Sequence, residues 1–469
     1  MKKQAEEEAT LEQKRVSYRF GRGCNIPARQ KRLLSWLGWG ILLSLAVLLM
    51  TYQVQLASQQ PTDFCQDYAA ANRFIQGTPI YLPLRLWAGY GDCSVLLTYD
   101  AHPPPSVLFF LPLALLPRAA ASLVWGICCL AAYLGSGLLL LKEAGWRSLK
   151  GLALFVIASA CWLPFLFSEQ LLNMGQLLTL LLVLAWLLER RGHQNWAGGL
   201  LGLASLLKIW PVVLLLEALI WKRWRLALIG GLTALCGVAL SFIVLGPGTY
   251  AAYAGPVQQN ETTFVPTDAN ISLAGMVSRL FTGIVPLLPP LIPGVQPPAA
   301  ILLGEGVAAA LLIGVLAIIW WGRQIEGETA QLLSQGMLVT TLLLVFPVSW
   351  YWMLIALLLP YTTTLLALRK LARPPRWWYV LLILGVLPTL GPGWAALRFG
   401  WDLTLSHAGG PAGWEALLFD ISTLGLLVFI GAQSWLLWWA RQQQRGLPVV
   451  AKISAETSQE ERADDEHTV

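Results

Sequence analysis

Two carboxylates four residues apart, in Asp63-Phe64-Cys65-Gln66-Asp67-Tyr68, stand directly after the first long apolar segment, Leu33 to Ala57. A carboxylate at the mouth of a membrane segment, rather than inside it, is a candidate general base for a reaction at the bilayer surface. The competing reading is an ordinary solvated loop acid. Other polar side chains interrupt or flank apolar runs: His102, Asn173, Gln176, Lys208, Asn270, Ser272, Arg279 and Ser349. Ionisable groups at membrane depth are costly, and a partner or a function holds them there. Lys208 is the sharpest of these. Its ammonium could hold a phosphate, or it could snorkel or pair with Glu217. Asn173 and Gln176 also suit the start of a helix, and Arg279 also reads as a plain loop charge.

The elements that must position these residues follow from composition. Of 469 residues, 56% are hydrophobic and 12% charged, and the apolar residues form repeated uncharged runs of roughly 18 to 25, the length that crosses hydrocarbon as helix. Backbone groups in lipid must pair internally, so the expected fold is all-α: a polytopic helical bundle with roughly 10–13 membrane segments. Residues 1–32 carry nine Lys/Arg against four Glu and precede 25 uncharged residues. That stretch is too long for a cleaved signal, so it predicts a retained helix with a cytosolic N-terminus.

Residues 58–101 then form a first external loop. Tyr68 to Ile75 within it has helix-forming composition ended by Gly77 and Pro79, which predicts a short helix along the membrane surface. Pro103-Pro104-Pro105 breaks the chain before Ser106 to Pro117, a run too short to span. Basic clusters at Lys142 to Lys150, Arg190-Arg191, Lys222 to Arg225, Arg369 to Arg376 and Arg441 to Arg445 all favour the cytosol. They share it only if Ser106 to Pro117 dips without crossing and Trp196 to Trp221 is a hairpin turning near Lys208 and Pro211. Residues 246–298 form a second external connection, and 446–469 a disordered cytosolic tail. The bundle proper is 33–445, in a plasma membrane with both termini cytosolic.

The net charge of +6 comes from these clusters and does not indicate nucleic acid. Many of the 23 Trp sit at segment ends, where they anchor in the interface. Cys65 and Cys93 fall in the loop facing an oxidising exterior and are candidates for a disulfide. The four His are scattered, no Cys/His spacing resembles a metal site, and no cofactor is expected.

Five ordered motifs carry a family resemblance: DFCQDYAAANRFIQGTPIY (Asp63 to Tyr81), AHPPPSVLFFLPLALLP (Ala101 to Pro117), NMGQLLTLLLVLAWLLERRGHQNWAGGLLGLASLLKIWP (Asn173 to Pro211), NISLAGMVSRL (Asn270 to Leu280) and FPVSWYW (Phe346 to Trp352). Together they resemble glycosyltransferase family 87. The resemblance implies a GT-C-type helical bundle that takes a hexose, typically mannose, from a polyprenyl-phosphate sugar and passes it to a hydroxyl of a lipid or glycan acceptor on the external face. Asp63 aligns with the family's catalytic acid. Many members follow the Ser-Trp pair with two histidines, whereas this chain has Trp352 and Met353.

That chemistry suits a single strong carboxylate. A phosphate leaves without needing a proton, unlike the alkoxide of glycoside hydrolysis. Asp63 would take the acceptor's proton with inversion, while Lys208 and Arg279 offset charge on the departing phosphate. Tyr68, Tyr81 and Trp350 could stack on sugar faces or simply pack. A transporter or flippase for a lipid-linked solute is the second reading, although its charges should sit near the midplane between repeats. A non-catalytic scaffold is the third.

Overall fold

The computed structural model describes residues 28–59, 62–81, 102–283, 297–371, 377–390, 417 and 420–445. Among them the protein is helical, with a single isolated bridge between Asn270 and Trp350 as its only extended pairing. Six helices are long and apolar enough to cross a membrane: Trp36–Gln55, Arg118–Glu143, Trp224–Leu245, Pro298–Gly322, Tyr351–Lys370 and Ile421–Arg445. A seventh crossing would be the bent pair Leu149–Ala160 and Leu163–Leu171, whose axes differ by 68°. The chain breaks between them at Cys161-Trp162, next to Pro164, which cannot donate into a helical ladder. The remaining apolar helices are shorter and fill the bundle.

Numbered in chain order, the helices that position the site are α1 (Ala28–Gln59), α2 (Thr62–Ile75), α3 (Pro104–Ala114), α4 (Arg118–Glu143), α5 (Leu149–Ala160), α6 (Leu163–Leu171), α7 (Gly175–Arg190) and α8 (Gln194–Leu207). A 3₁₀ turn at Trp210–Val213 leads into α9 (Leu214–Ile220), followed by α10 (Trp224–Leu245), α11 (Pro247–Phe264) and α12 (Leu273–Thr282). Then come α13 (Pro298–Gly322), α14 (Glu328–Val345), a 3₁₀ segment Tyr351–Leu357, α15 (Leu358–Lys370), α16 (Trp377–Leu390) and α17 (Ile421–Arg445). The chain does turn back at Lys208, as the hairpin reading requires, because Trp210-Pro211 converts the α-helix to a 3₁₀ turn. Residues 246–298, read as a long connection, instead contain α11 and α12.

At the centre stands α14, buried continuously from Leu332 to Leu344. Its hydroxyls do not need outside partners, because Thr340 and Thr341 donate back to the carbonyls of Gly336 and Met337 at 2.8 Å. One end of the bundle is laced by charge. Arg190 pairs with Glu143 and with Glu328, Lys370 with Glu328 at 2.8 Å, and Arg223 with Glu189, while Arg369 donates to the Ala144 carbonyl. The basic clusters of the sequence therefore converge on one face. Lys208 lies at the other end of α8, about 20 Å away for a helix of that length.

Helix α8 is held in place by an unusually close pairing with α10. A Cβ at Gly198 would sit 2.4 Å from the Leu226 carbonyl oxygen, and one at Gly202 would sit 2.5 Å from that of Gly230. Small residues let membrane helices approach to backbone contact, and here they lock α8 onto α10. Gly198→Val should therefore lower the unfolding midpoint in detergent, at a cost of about 1–3 kcal/mol for overpacking. An unchanged midpoint would show that the pair can separate freely.

Candidate functional site

The site is built from α2 upward. Residues four apart share a helix face, so Asp63 and Asp67 line one side while Phe64 and Tyr68 bury the adjacent one. Phe64 lies 5.6 Å from Tyr68, 6.1 Å from Phe110 and 6.4 Å from Trp125 between ring centroids, which clamps α2 to α3 and α4. The Tyr68 hydroxyl donates to the Leu116 carbonyl at 2.8 Å. Tyr68 is thus held as a packing residue. The helix starts earlier than the composition suggested, which puts Asp63 in its first turn, where the helix dipole favours a carboxylate.

Asn173 reaches that carboxylate from a deliberately bent segment. Leu172, at the end of α6, takes φ of 50°, a left-handed conformation rare for a branched side chain. Its carbonyl is held by the Trp125 indole at 2.9 Å, and Asn173 Oδ1 accepts the Gly175 N–H at 2.8 Å. The amide is then fixed, and Asn173 Nδ2 donates to Asp63 Oδ2 at 2.5 Å. No hydrogen bond engages the other oxygen, Oδ1, among the described residues.

Asp67 belongs to a second chain of contacts. His102 Nδ1 lies 2.8 Å from Asp67 Oδ1, and His102 Nε2 lies 2.9 Å from Lys208 Nζ. The arrangement fits a neutral imidazole that donates from Nδ1 to the carboxylate and accepts from the ammonium, a tautomer assigned from the network. The Tyr81 hydroxyl donates to the His102 carbonyl at 2.9 Å, and its ring packs 5.2 Å from that of Tyr253. Lys208 does not pair with Glu217, the alternative partner considered from sequence. Glu217 lies 3.7 Å from Arg223 at the far end of the hairpin.

Burial raises the pKa of Asp63. The Asn173 hydrogen bond opposes the rise, as do the Lys208 ammonium, the His102 imidazole whenever it is protonated, and the nearby Trp352 indole. The indole Nε1–H is directed near the carboxylate without making a hydrogen bond of ordinary geometry. Asp67 is pushed well up by burial, with Lys208 opposing and the Asp63 charge reinforcing the rise. Two carboxylates and one amine in a dry pocket thus share their charge.

The remaining candidates hold the walls. Asn270 Nδ2 donates to the Val265 and Pro347 carbonyls at 3.0 and 2.8 Å, while its Oδ1 accepts the Ser272 and Ser349 N–H groups at 3.1 and 2.9 Å. Ser272 Oγ donates to Pro347 O at 2.7 Å and caps α12 by accepting the Gly275 N–H. With Ile271 N–H donating to Ser349 O at 2.8 Å, these residues zip two distant loops together. Trp350 emerges from that zipper stacked 5.1 Å from Trp352, at an interplanar angle of 10°, and edge-on to Phe264. Trp352 thereby fills the wall beside Asp63.

Arg279 has its guanidinium engaged within the protein. It is fully buried, ion-paired with Asp420, and donates to the Asn270 carbonyl at 2.8 Å and to that of Thr267. It stabilises the zipper from behind. Gln176 is likewise turned away, donating at 3.3 Å to Glu169. Glu169 was missed from sequence although its signal was there, a lone acid between two apolar runs. It is fully buried, and its Oε2 has no partner among the described residues. Cys65 is disulfide-bonded, and Cys93 lies outside the described residues.

The site thus gathers Asp63, Asp67, His102, Asn173 and Lys208, with Tyr81 and Trp352 behind them. Such a pocket can take a proton on a carboxylate with a free edge and can hold an anion at the ammonium.

A model of glycosyltransferase family 87 matches residues 101–347. The matched segment contains His102, Asn173, Lys208, Asn270 and Ser272, and not Asp63, Ser349 or Trp350. A polyprenol-phosphate-mannose-dependent alpha-(1-2)-phosphatidylinositol pentamannoside mannosyltransferase of Mycolicibacterium smegmatis is 29% identical over 342 residues, covering 70% of this chain and 76% of that protein. The similarly described protein of Mycobacterium tuberculosis is 27% identical, covering 71% and 73%. An alpha-(1->3)-arabinofuranosyltransferase of Corynebacterium glutamicum is 28% identical over 266 residues, covering 54% and 59%. No solved structure matches the chain.

Two outcomes test this geometry. Arg279→Met should destabilise the protein by about 3–5 kcal/mol by stranding Asp420, and Arg279→Met with Asp420→Leu should recover most of that loss; a single variant of normal stability that loses donor binding would return Arg279 to the donor site. A base must be ionised, so the acid limb of a pH–rate profile should lie above the ordinary carboxylate range. Lys208→Met and Asn173→Ala each remove an influence that lowers the Asp63 pKa, so both should move that limb to higher pH. A limb that moves down, or not at all, would show that another group controls it.

Proposed function

Because the chain belongs to glycosyltransferase family 87, we propose that it transfers a hexose, in the first instance mannose, from a polyprenyl-phosphate sugar to a hydroxyl of a lipid or glycan acceptor. The chain is a membrane glycosyltransferase; the sugar, the face and the mechanism are our reading. The observation that carries it is the Asp63 carboxylate, clamped on one oxygen by Asn173 and open on the other, within electrostatic reach of Lys208.

In this mechanism the acceptor oxygen attacks the anomeric carbon as the bond from that carbon to the phosphate oxygen breaks. The acceptor's proton passes to Asp63 Oδ1, and the electron pair leaves with the polyprenyl phosphate. Configuration inverts. Lys208, oriented by His102 and through it by Asp67, meets the developing phosphate charge, where a preorganised ammonium in a low-dielectric pocket is most effective. Asp67 is then a positioning residue, because its own oxygen is engaged by the imidazole. The convergence of Arg190, Arg223, Arg369 and Lys370 on the opposite end of the bundle supports a cytosolic face there and a site on the external side.

The test uses purified protein with polyprenyl-phosphate-mannose and extracted lipid acceptors, and a second arm with a polyprenyl-phosphate-arabinofuranose donor, since one relative is an arabinofuranosyltransferase. Turnover in the first arm supports the proposal, whereas turnover only in the second replaces mannose with a pentofuranose. Asp63→Asn should reduce transfer by about 10²- to 10⁴-fold with donor binding retained, and Asp67→Asn should reduce it less. Near-normal transfer by Asp63→Asn would rule out the proposed base.

A further inference from the structure

Two turns at the end of the bundle opposite Lys208 share one hydrogen-bond pattern. Between α7 and α8, the Gly192 N–H donates to Glu189 O at 2.9 Å and the His193 N–H to Leu188 O at 2.8 Å. Between α9 and α10, the Lys222 N–H donates to Leu219 O at 3.0 Å and the Arg223 N–H to Ala218 O at 2.8 Å. Each turn places one residue in the left-handed region, Gly192 at φ 80° and Lys222 at φ 58°. Glycine is the usual occupant of this position because a Cβ is strained there. Lysine occupies it in the second turn, and such strain in a side-chain-bearing residue is a mark of functional positions.

The two turns enclose a cleft of about 650 Å³, lined by His193, Gln194 and Trp196 from the first and Lys222, Trp224 and Arg225 from the second. No acid is among its lining residues. Lys222 and Arg225 have no ion-pair partner among the described residues, whereas Arg190, Arg223 and Lys370 at the same end are each matched to a glutamate. Trp196 and Trp224 flank the cleft with 72% and 63% of their surface exposed. Trp224 also opens α10, one of the helices long enough to cross the membrane, so the cleft lies at the bilayer boundary. The first turns of α8 and α10 meet here without any side-chain cap, and only the Gln194 N–H is drawn off, to the Gly192 carbonyl at 3.0 Å, among the bonds made outside the helices by their first two residues. A topological bias toward basic residues accounts for the sign of the charge. It does not account for unpaired cations gathered in a concavity, or for lysine where glycine belongs.

We propose that this cleft binds the phosphate headgroup of an anionic phospholipid in the leaflet opposite the candidate active site. The guanidinium and ammonium meet the phosphate oxygens, and the two indoles lie at headgroup level on either side of the lipid. The proposal concerns a site about one helix length from Asp63 and does not depend on which sugar is transferred.

Native mass spectrometry of the full-length protein tests it, with detergent micelles doped with phosphatidylglycerol or phosphatidylcholine as the probes. The test variant is Lys222→Gly with Arg225→Gln, which removes both charges while easing the backbone. The control is Arg147→Gln with Lys150→Gln, an equal charge loss at the same end of the bundle. The wild type and the control should retain phosphatidylglycerol in preference to phosphatidylcholine, and the test variant should retain at least tenfold less. Equal loss in both variants would overturn the site in favour of general attraction. Full retention by the test variant would also overturn it, as would displacement by glycerol 3-phosphate with no preference between the two lipids, which would identify a soluble-anion site.

Discussion

Holding two carboxylates, one buried and one half-buried, beside one amine is the constraint on which the rest of this structure depends. Each charge out of water is costly unless it is paired and hydrogen-bonded. Asp63 is held by Asn173, and Asp67 by His102, which is itself held by Lys208. The two acids and these partners come from four separate segments of the chain. The bend at Leu172, the turn at Lys208 and the aromatic clamp on α2 are the local structures that bring them to one point.

The walls of the site obey the same rule. Asn270 uses both ends of its amide to join the segment before α12 to the one after α14, and Arg279 closes the joint from behind through Asp420. The two tryptophans that follow Ser349 then stack against one another beside Asp63. Where the family resemblance leads one to expect imidazoles, this chain presents an indole face. Titratable chemistry at the site therefore rests on α2, His102 and Lys208.

The bundle is polar at two ends in different ways. At one, charges are matched into a lattice of glutamates and basic residues that ties α4, α7, α14 and α15 together. At the other, fewer charges are held in a pocket with one carboxylate edge left open. A rigid close pair, α8 on α10, connects the two ends, carrying Lys208 at one terminus and the cleft beside Trp196 at the other. Small residues at Gly198 and Gly202 make that rigidity possible.

Sequence alone determined the solvent, the class of fold and the first candidate. Long uncharged runs admit only helices in lipid, basic clusters mark one side, and two acids after the first span stand out because so few charges surround them. Helix α2, the turn at Lys208 and the polar residues worth watching were all legible in that way, since each is a local property of composition and spacing. The partners were not. Asn173 lies 110 residues from Asp63, Lys208 lies 106 from His102, and Arg279 lies 141 from Asp420, and nothing local says which distant group will meet which. For the same reason Arg279 read as a donor ligand and proved to be a structural pin, and Glu169 passed unnoticed between two spans. Tertiary packing decided these roles, because a buried polar group takes its function from whichever neighbour satisfies it, and that neighbour is chosen by the whole fold.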